Sequence, residues 1–300
     1  MSLASEGVSV YYCYFRCELH GYNGDSQNQI MTKLTRRRFL KGGILASLGF
    51  VLIDVFWFEK YVIDWNYFNL SKSSKAPIKI VQISDLHIDQ LRSFHRAIAR
   101  KINKLQPDLV VFTGDSVDAP DTINHLDEFL KLIDHSIQKY AILGNWEYWG
   151  NVNLSTLKNT FTQHNCELLV NENRTINIKN RRLAIIGSDD FVGGNADFVS
   201  AVEGMKTAET TVVLTHCPEH RDVIAKQKGK LLIDLVLCGH THGGQITFLG
   251  WIPFKPQGSG PYVKGWYQEK NPKMYISKGI GTSVLPIRLG ARAEVAVFDL

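Results

Sequence analysis

The sequence has few cysteines, and none of them form the closely spaced pair typical of a zinc knuckle. The chain has five cysteines and no C-x-x-C segment, and an odd number cannot all pair. A fold held together by disulfides or by a structural zinc is therefore not expected. The five are Cys13, Cys17, Cys166, Cys217 and Cys238.

Most of the chain also lacks an excess of positive or negative residues. The net charge is +5, but residues 76–300 hold 25 Lys and Arg against 23 Asp and Glu. A protein that binds nucleic acid through the phosphate backbone needs a broad positive surface. The near-neutral charge predicts that nucleic acid is not a partner.

Long apolar runs are limited to one, from Gly42 to Phe58, which excludes a protein with several membrane spans. The chain is still 44% hydrophobic over 300 residues. That composition allows a sizeable core, in one large domain or two small ones.

The single apolar run follows a basic segment, as in an export signal. Residues 35–41 are TRRRFLK, which resembles a twin-arginine signal. No A-x-A cleavage site follows, which favours a retained anchor, while a cleaved signal stays open. We expect the protein at the inner (cytoplasmic) membrane, with export by the twin-arginine route as an open alternative.

Four segments are predicted along the chain. Residues 1–34 form an N-terminal extension, and we expect native translation to begin at Met31. Residues 35–70 are a twin-arginine-like signal or membrane anchor, 71–77 are a polar linker, and 78–300 form the folded domain.

The folded domain alternates strand and helix patterns, which predicts an α/β fold. An apolar run at 78–84 precedes a helical pattern at 91–105, and a second strand is expected at 108–113. A helix at 123–133 and a strand at 140–143 continue the order. This pattern is typical of βαβ units and a largely parallel sheet. From Glu167 onward the segments are richer in strands.

Residues able to bind metal follow the predicted strands. The carboxyl ends of strands are where open α/β sheets bind ligands. The set contains four His, two Asp and one Asn, a mixture of nitrogen and oxygen donors that suits Mn, Fe or Zn better than Ca. Seven ligands suffice for two divalent ions. They are Asp85 and His87 in SDLH, Asp115 in TGDS, Asn145 in LGNW, His216 in LTHCP, and His240 and His242 in GHTH.

These segments, D-x-H, G-D, G-N, H and G-H-x-H, resemble those of the calcineurin-like metallophosphoesterases over 78–300. The GHTHGGQ segment at 239–245 is similar to the bacterial membrane-associated branch. The resemblance implies a four-layer α/β/β/α sandwich of two mixed sheets and a two-metal hydrolysis of phosphoric esters. It assigns one metal to Asp85, His87 and His242, the other to Asn145, His216 and His240, and a bridging role to Asp115. The implied catalytic residues are Asp115, Asn145 and His216.

One position departs from the family pattern, because Trp146 stands where the family usually has His. An indole N–H does not titrate and cannot act as a general acid. Either the protein binds a phosphorylated lipid or cell-wall component without cleaving it, or its leaving group needs no proton. The second alternative favours a pyrophosphate, such as the lipid-linked UDP-2,3-diacylglucosamine that some relatives cleave. Trp146 and Arg288 are the candidate substrate-binding residues. Packing beside the strand end is the alternative for Trp146, and a surface salt bridge for Arg288.

Overall fold

Short runs of β-branched and other apolar residues form two six-stranded sheets in the computed structural model. The model describes residues 35–71, 76–248, 250–269 and 271–300. The predicted extension at 1–34 lies outside these residues, as does most of the predicted linker. Cα packing divides the chain between Leu45 and Ala46, and both sheets lie within Ala46–Leu300.

The first sheet is mixed, with a parallel centre. Strands β2, β3, β4 and β5 run parallel, β12 is antiparallel to β2, and β1 pairs in parallel with β12 at the edge. The order across the sheet is β1 (Asp64–Asn69), β12 (Glu294–Asp299), β2 (Lys79–Ile83), β3 (Leu109–Thr113), β4 (Gln138–Ile142) and β5 (Cys166–Leu168).

The second sheet is also mixed. Its four central strands are parallel, and an antiparallel strand closes each edge. The order is β10 (Gly265–Tyr267), β11 (Met274–Ile276), β9 (Leu235–Cys238), β8 (Thr210–Leu214), β7 (Arg181–Gly187) and β6 (Glu172–Ile178).

The helices cover the outer faces of the two sheets. Against the first sheet pack α3 (Ser93–Leu105), α4 (Ile123–Leu130) and α6 (Leu154–Gln163), and against the second α7 (Phe198–Ala201) and α8 (His220–Gln227). The short helix α5 (Asn145–Trp149) follows β4 directly.

Alternation along the strands produces the four layers. Successive side chains of a strand point to opposite faces, so Val110 of β3 packs under the helices while Val111 packs between the sheets. In β8, Val212 faces the other sheet and Val213 faces α7 and α8. The predicted α/β/β/α sandwich of two mixed sheets is confirmed.

The apolar run forms a long helix that joins this fold. Helix α1 (Arg36–Ile53) continues through a π-helical turn (Asp54–Phe58) into α2 (Glu59–Tyr61). By length and composition this helix could cross a membrane. A signal sequence has the same properties, so signal and anchor both stay open. Strand β1 comes from the same predicted segment and adds to the first sheet.

We predict that Leu237→Ala will destabilise the domain by about 2–5 kcal/mol, because Leu237 is fully buried between the sheets and its loss leaves a cavity. The matched control is Leu232→Ala, five residues earlier and exposed, which should change stability by less than about 0.5 kcal/mol. Denaturant unfolding of the full chain in detergent measures both. Equal effects at the two positions would contradict the assigned core.

Candidate metal centre

The seven predicted ligand residues meet at one edge of the two sheets. Asp85, His87, Asp115 and Asn145 follow β2, β3 and β4 of the first sheet, and the remaining three follow β8 and β9 of the second. Because these strands are parallel within each sheet, their carboxyl ends share an edge. The order of strands in the chain therefore places seven side chains, distant in sequence, around one point.

The backbone at this edge is strained. Asp85, His87, Asp115, His240 and His242 all have positive φ, between 40° and 73°. Such a conformation costs a residue with a Cβ about 1 kcal/mol or more, and it persists only where the surrounding structure enforces it. Clusters of such residues are typical of functional sites.

Glycines that precede the ligands permit the tight turns at this edge. A Cβ on Gly239 would collide with the Ser84 and Asp85 side chains, and one on Gly114 with the ring of His216. The loops from the two sheets can approach each other only because these positions lack side chains.

The first group of donors consists of Asp85, His87, Asp115 and His242, whose ligand atoms all lie within 4.8 Å of one another. The Nε2 atoms of His87 and His242 are 3.1 Å apart. His242 Nε2 is 3.5 Å from Asp85 Oδ1, and His87 Nε2 is 3.7 Å from Asp115 Oδ2. All four residues are buried.

The second group consists of Asp115, His216 and His240, again within 4.8 Å. Asn145 joins them, with Oδ1 2.8 Å from His240 Nδ1 and 3.2 Å from His216 Nε2. His216 Nε2 lies 3.1 Å from the Oδ2 atom of Asp115. Asp115 is the residue that belongs to both groups.

Three ligand rings are anchored through the nitrogen that faces away from the cluster. His87 Nδ1 lies 2.5 Å from Asp118 Oδ1, and His216 Nδ1 donates to the Thr113 carbonyl at 2.8 Å. His240 Nε2 donates to the Gln257 carbonyl at 2.6 Å. A neutral imidazole that donates from one nitrogen presents a lone pair on the other, as a metal ligand requires.

The unpaired atoms of the cluster also fit a cation. Asp85 Oδ2 is buried and has no hydrogen-bond partner among the described residues, and an orphaned carboxylate oxygen is costly unless a ligand satisfies it. The Nε2 atoms of His87 and His242 face each other at 3.1 Å and, once deprotonated, could both bind the same cation. The arrangement is therefore a buried His/Asp cluster able to bind metal.

Burial and neighbouring charges shift the pKa values of the cluster residues in different directions. Burial raises the pKa of Asp85. At Asp115 burial acts in the same direction, but His216 and His87 outweigh it and hold the pKa of the carboxyl well below its usual range. Burial and the neighbouring His87 lower the pKa of His242. Burial acts to lower the pKa of His87 and His216, but Asp118 raises the pKa of His87 to about 9 and Asp115 raises that of His216 well above its usual value. A cation bound by these two rings would therefore displace their protons.

Glu147 organises the loop that carries Asp115, a role that the sequence analysis missed. Its buried carboxylate accepts hydrogen bonds from the backbone N–H groups of Asp115, Ser116, Val117 and Gly144, at 2.6–3.3 Å. Burial and the charge of Asp115 raise the pKa of Glu147 to about 7. The Glu two residues after Asn145 was visible in the sequence, but three of its four hydrogen-bond partners lie about thirty residues away.

A cavity of about 570 Å³ opens beside the second group of donors. Asp115, Asn145 and His240 are among the residues that line it. Most of its walls are apolar, formed by Trp146, Trp149, Ile246, Pro253, Phe254, Pro256, Val284 and Leu285. Among the described lining residues, the titratable side chains are Asp115 and His240, both predicted ligands.

The two candidate substrate residues have different positions. Trp146 lines the cavity, and its Nε1 donates to Ser283 Oγ at 3.1 Å. Arg288 is fully buried and donates to the carbonyls of Gly281, Ala291 and Lys278. Its Nη2 also lies 3.5 Å from Nδ1 of the predicted ligand His242, and contact with phosphate stays a prediction. The surface salt bridge considered for Arg288 is wrong, since the side chain is buried.

We predict that Glu147→Ala will destabilise the protein by about 3 kcal/mol or more, since buried N–H groups lose their acceptor. Glu147→Gln keeps one acceptor oxygen and should lose less. Thermal unfolding and metal titration of the two variants test this. Equal losses would contradict the organising role of the carboxylate.

We also predict that Asp118→Ala will weaken metal affinity by about 10–100-fold, because it removes the partner that orients the His87 ring. The control is Asp121→Ala, an exposed aspartate three residues later. Competition with a chelating dye measures the affinities. Unchanged affinity in Asp118→Ala would show that His87 does not depend on this contact.

Comparisons with known proteins identify the family to which the chain belongs. The model of the calcineurin-like phosphoesterase family matches residues 78–244. The chain is 31% identical to an uncharacterized metallophosphoesterase of Bacillus subtilis, YkuE, over 90% of this chain and 99% of that protein. It is 29% identical to the phosphodiesterase YaeI of Escherichia coli, over 89% and 99%.

Among solved structures, a 5'-nucleotidase precursor from Thermus thermophilus is 14% identical with a TM-score of 0.45, over 74% of this chain and 54% of that one. The family match covers more than half of the chain and includes all seven predicted ligands. On that match and the identity to YkuE, the chain belongs to the calcineurin-like phosphoesterase family.

Proposed function

We propose that the protein hydrolyses a phosphodiester or pyrophosphate bond with the help of two divalent metal ions, Mn, Fe or Zn. The observation that carries this proposal is the pair of donor groups that share Asp115. Asp85, His87 and His242 would hold one ion, and Asn145, His216 and His240 the other. Two such ions supply Lewis-acid activation of a phosphoryl oxygen and of the attacking water.

The protein residues contribute position and exclusion of water. The ligand rings are fixed by the carbonyls and the carboxylate described above, so the donors require little rearrangement on binding. The apolar walls of the cavity reduce the local dielectric, which strengthens electrostatic interactions with a phosphate. In the mechanism implied by the family, Asp115, Asn145 and His216 are the catalytic residues.

The residues that line the cavity favour a substrate whose leaving group needs no proton. Trp146 occupies the position of the family's usual His, and the titratable lining residues among those described are ligands. General-acid help is worth about 10²–10⁴-fold, so an alkoxide would leave slowly here. A phosphate released from a pyrophosphate leaves readily, because its second pKa is near 6.

The apolar walls also favour a substrate with a hydrophobic or aromatic part beside the phosphate. Trp146 and Trp149 present rings that can pack on a nucleobase, a sugar or an acyl chain. We therefore propose a phosphorylated lipid or small molecule as substrate, with lipid-linked UDP-2,3-diacylglucosamine as the first candidate. We further propose that the protein associates with the inner membrane through the helix at 36–61.

A second candidate function is binding without cleavage. Replacement of the family's His by Trp146 favours it, since the clusters could still hold metals and capture a phosphorylated lipid or cell-wall component. Turnover separates the two functions, because a binding protein would load metal and release no product.

We predict that the full chain with Mn²⁺ will release UMP from UDP-2,3-diacylglucosamine, observed by ³¹P NMR, and that Asp115→Asn will abolish the release. The substitution weakens the one ligand shared by both groups and leaves the cavity walls intact. A control phosphodiester with two alkyl groups should be cleaved at least about 100-fold more slowly, for lack of a general acid.

Cleavage of the alkyl diester at the same rate would contradict the argument from Trp146. Metal loading without turnover of either compound would favour the binding function.

A further inference from the structure

Large apolar side chains are exposed around the mouth of the cavity. Phe248, Trp251 and Phe254 are 63%, 68% and 73% exposed, and Val284 is 85% exposed. With Leu285, also half exposed, they form what we call the rim surface. Contiguous exposed apolar surface on a folded domain is typical of an interaction site.

Hydrogen bonds hold the segments that carry the rim surface in place. Phe248 and Trp251 exchange two backbone hydrogen bonds with each other, at 3.0 and 2.9 Å. The side chain of Gln245 donates to the carbonyls of Ser283 and Leu285. The two segments that carry the rim surface are therefore joined across the cavity mouth, and their exposed side chains have a defined position.

The second of these segments is also attached to the apolar helix. The backbone N–H of Arg288 donates to the carbonyl of Val55 in the π-helical turn, at 3.2 Å. The carboxylate of Glu59 accepts from the N–H groups of Gly290 and Ala291. The helical residues just before this attachment, including Phe50, Leu52, Ile53, Phe56 and Trp57, expose their apolar side chains. The exposed apolar part of the helix therefore lies beside Arg288. In the sequence, Arg288 comes three residues after Leu285 of the rim surface.

The charged residues near the cavity mouth indicate which kind of partner the rim surface can bind. Residues 239–268 and 279–293 contain no Asp or Glu, and their charged residues are two Lys and two Arg, of which Arg288 is buried. Lys255, next to Phe254, is exposed. A surface of aromatic and aliphatic side chains with basic and no acidic residues is complementary to anionic lipid, where Trp and Phe occupy the interfacial region.

We propose that the rim surface docks on an anionic lipid bilayer, so that the cavity opens toward the lipid headgroups. The helix at 46–61 brings the domain to the bilayer, and the rim surface sets its orientation. If the proposed function is correct, on which this last step rests, the substrate is a phosphorylated lipid that reaches the metal centre without leaving the bilayer.

Environment-sensitive labels on the full chain test the docking directly. One variant carries Trp251→Cys and the other Leu232→Cys, both with Cys13 and Cys17 changed to Ser, while Cys166, Cys217 and Cys238 are buried. Leu232 is 76% exposed and precedes β9, at the sheet edge opposite the metal centre. The protein is inserted in vesicles of phosphatidylcholine and phosphatidylglycerol in equal amounts, with or without brominated acyl chains.

The label at residue 251 should shift to shorter wavelength and be quenched by brominated lipid several-fold more than the label at 232. Equal quenching at the two positions, or none at either, overturns the proposal. A label at 251 that is shielded from water but not quenched by brominated lipid would identify a protein partner or a second copy, and would overturn it as well.

A kinetic comparison tests the consequence for the substrate. Phe248→Ser with Trp251→Ser removes two rim side chains that do not line the cavity. The double variant should lose about tenfold or more in rate on hexadecyl 4-nitrophenyl phosphate in the same vesicles, the equivalent of one lost apolar contact with lipid. Its rate on soluble bis(4-nitrophenyl) phosphate should be unchanged.

Equal rates of the double variant and the wild type on the vesicle substrate would overturn access from the bilayer. If the wild type cleaves neither compound, the proposed function fails, and the label experiment still decides the docking.

Discussion

Asp115 is the residue on which the organisation of the site depends. Its carboxylate belongs to both donor groups, so the two potential metal positions exist at a fixed separation only if this side chain is held still. The backbone N–H of Trp146 donates to Oδ1, and Glu147 accepts from the N–H of Asp115 itself. A buried acid beside another acid is unfavourable without compensation. The surrounding histidines provide that compensation, and a bound cation would add to it.

The fold explains how such an unfavourable cluster can form. Tight packing between the sheets and under the helices fixes the strands, and the strand ends then carry the strained loops. Five of the seven ligands have a left-handed backbone conformation, which the local sequence would not adopt by itself. The stability of the four-layer core offsets the strain, and this is a common relation between a scaffold and its functional site.

The sequence predicted the architecture well where local patterns decide it. The helical spacing at 91–105 corresponds to α3, and the apolar run at 108–113 corresponds to β3, because burial on one face requires these periods. Strand β1 was not foreseen, because its pattern of aromatic and polar residues follows an apolar helix and its pairing partner, β12, lies more than 200 residues later. The residue pattern of a single segment does not indicate which distant strand it will pair with.

The ligand residues of the site could also be predicted from the sequence. Motifs at strand ends named seven residues that the structure brings together, and the family resemblance supplied their grouping. The contacts that hold them were not predictable, because Asp118 and Glu147 act through hydrogen bonds across loops. The burial of Arg288 among backbone carbonyls was not predictable for the same reason, because these partners come from the fold. The apolar rim of the cavity also depends on two distant segments meeting.

The central claim is that this chain holds two metal ions bridged by Asp115. Anomalous diffraction from crystals of the full chain grown with Mn²⁺ tests it most directly. The account predicts two peaks about 3.5–4 Å apart, with the Asp115 carboxylate between them and Asn145 and His216 at the second. A single peak, or two peaks that do not share Asp115, would contradict it.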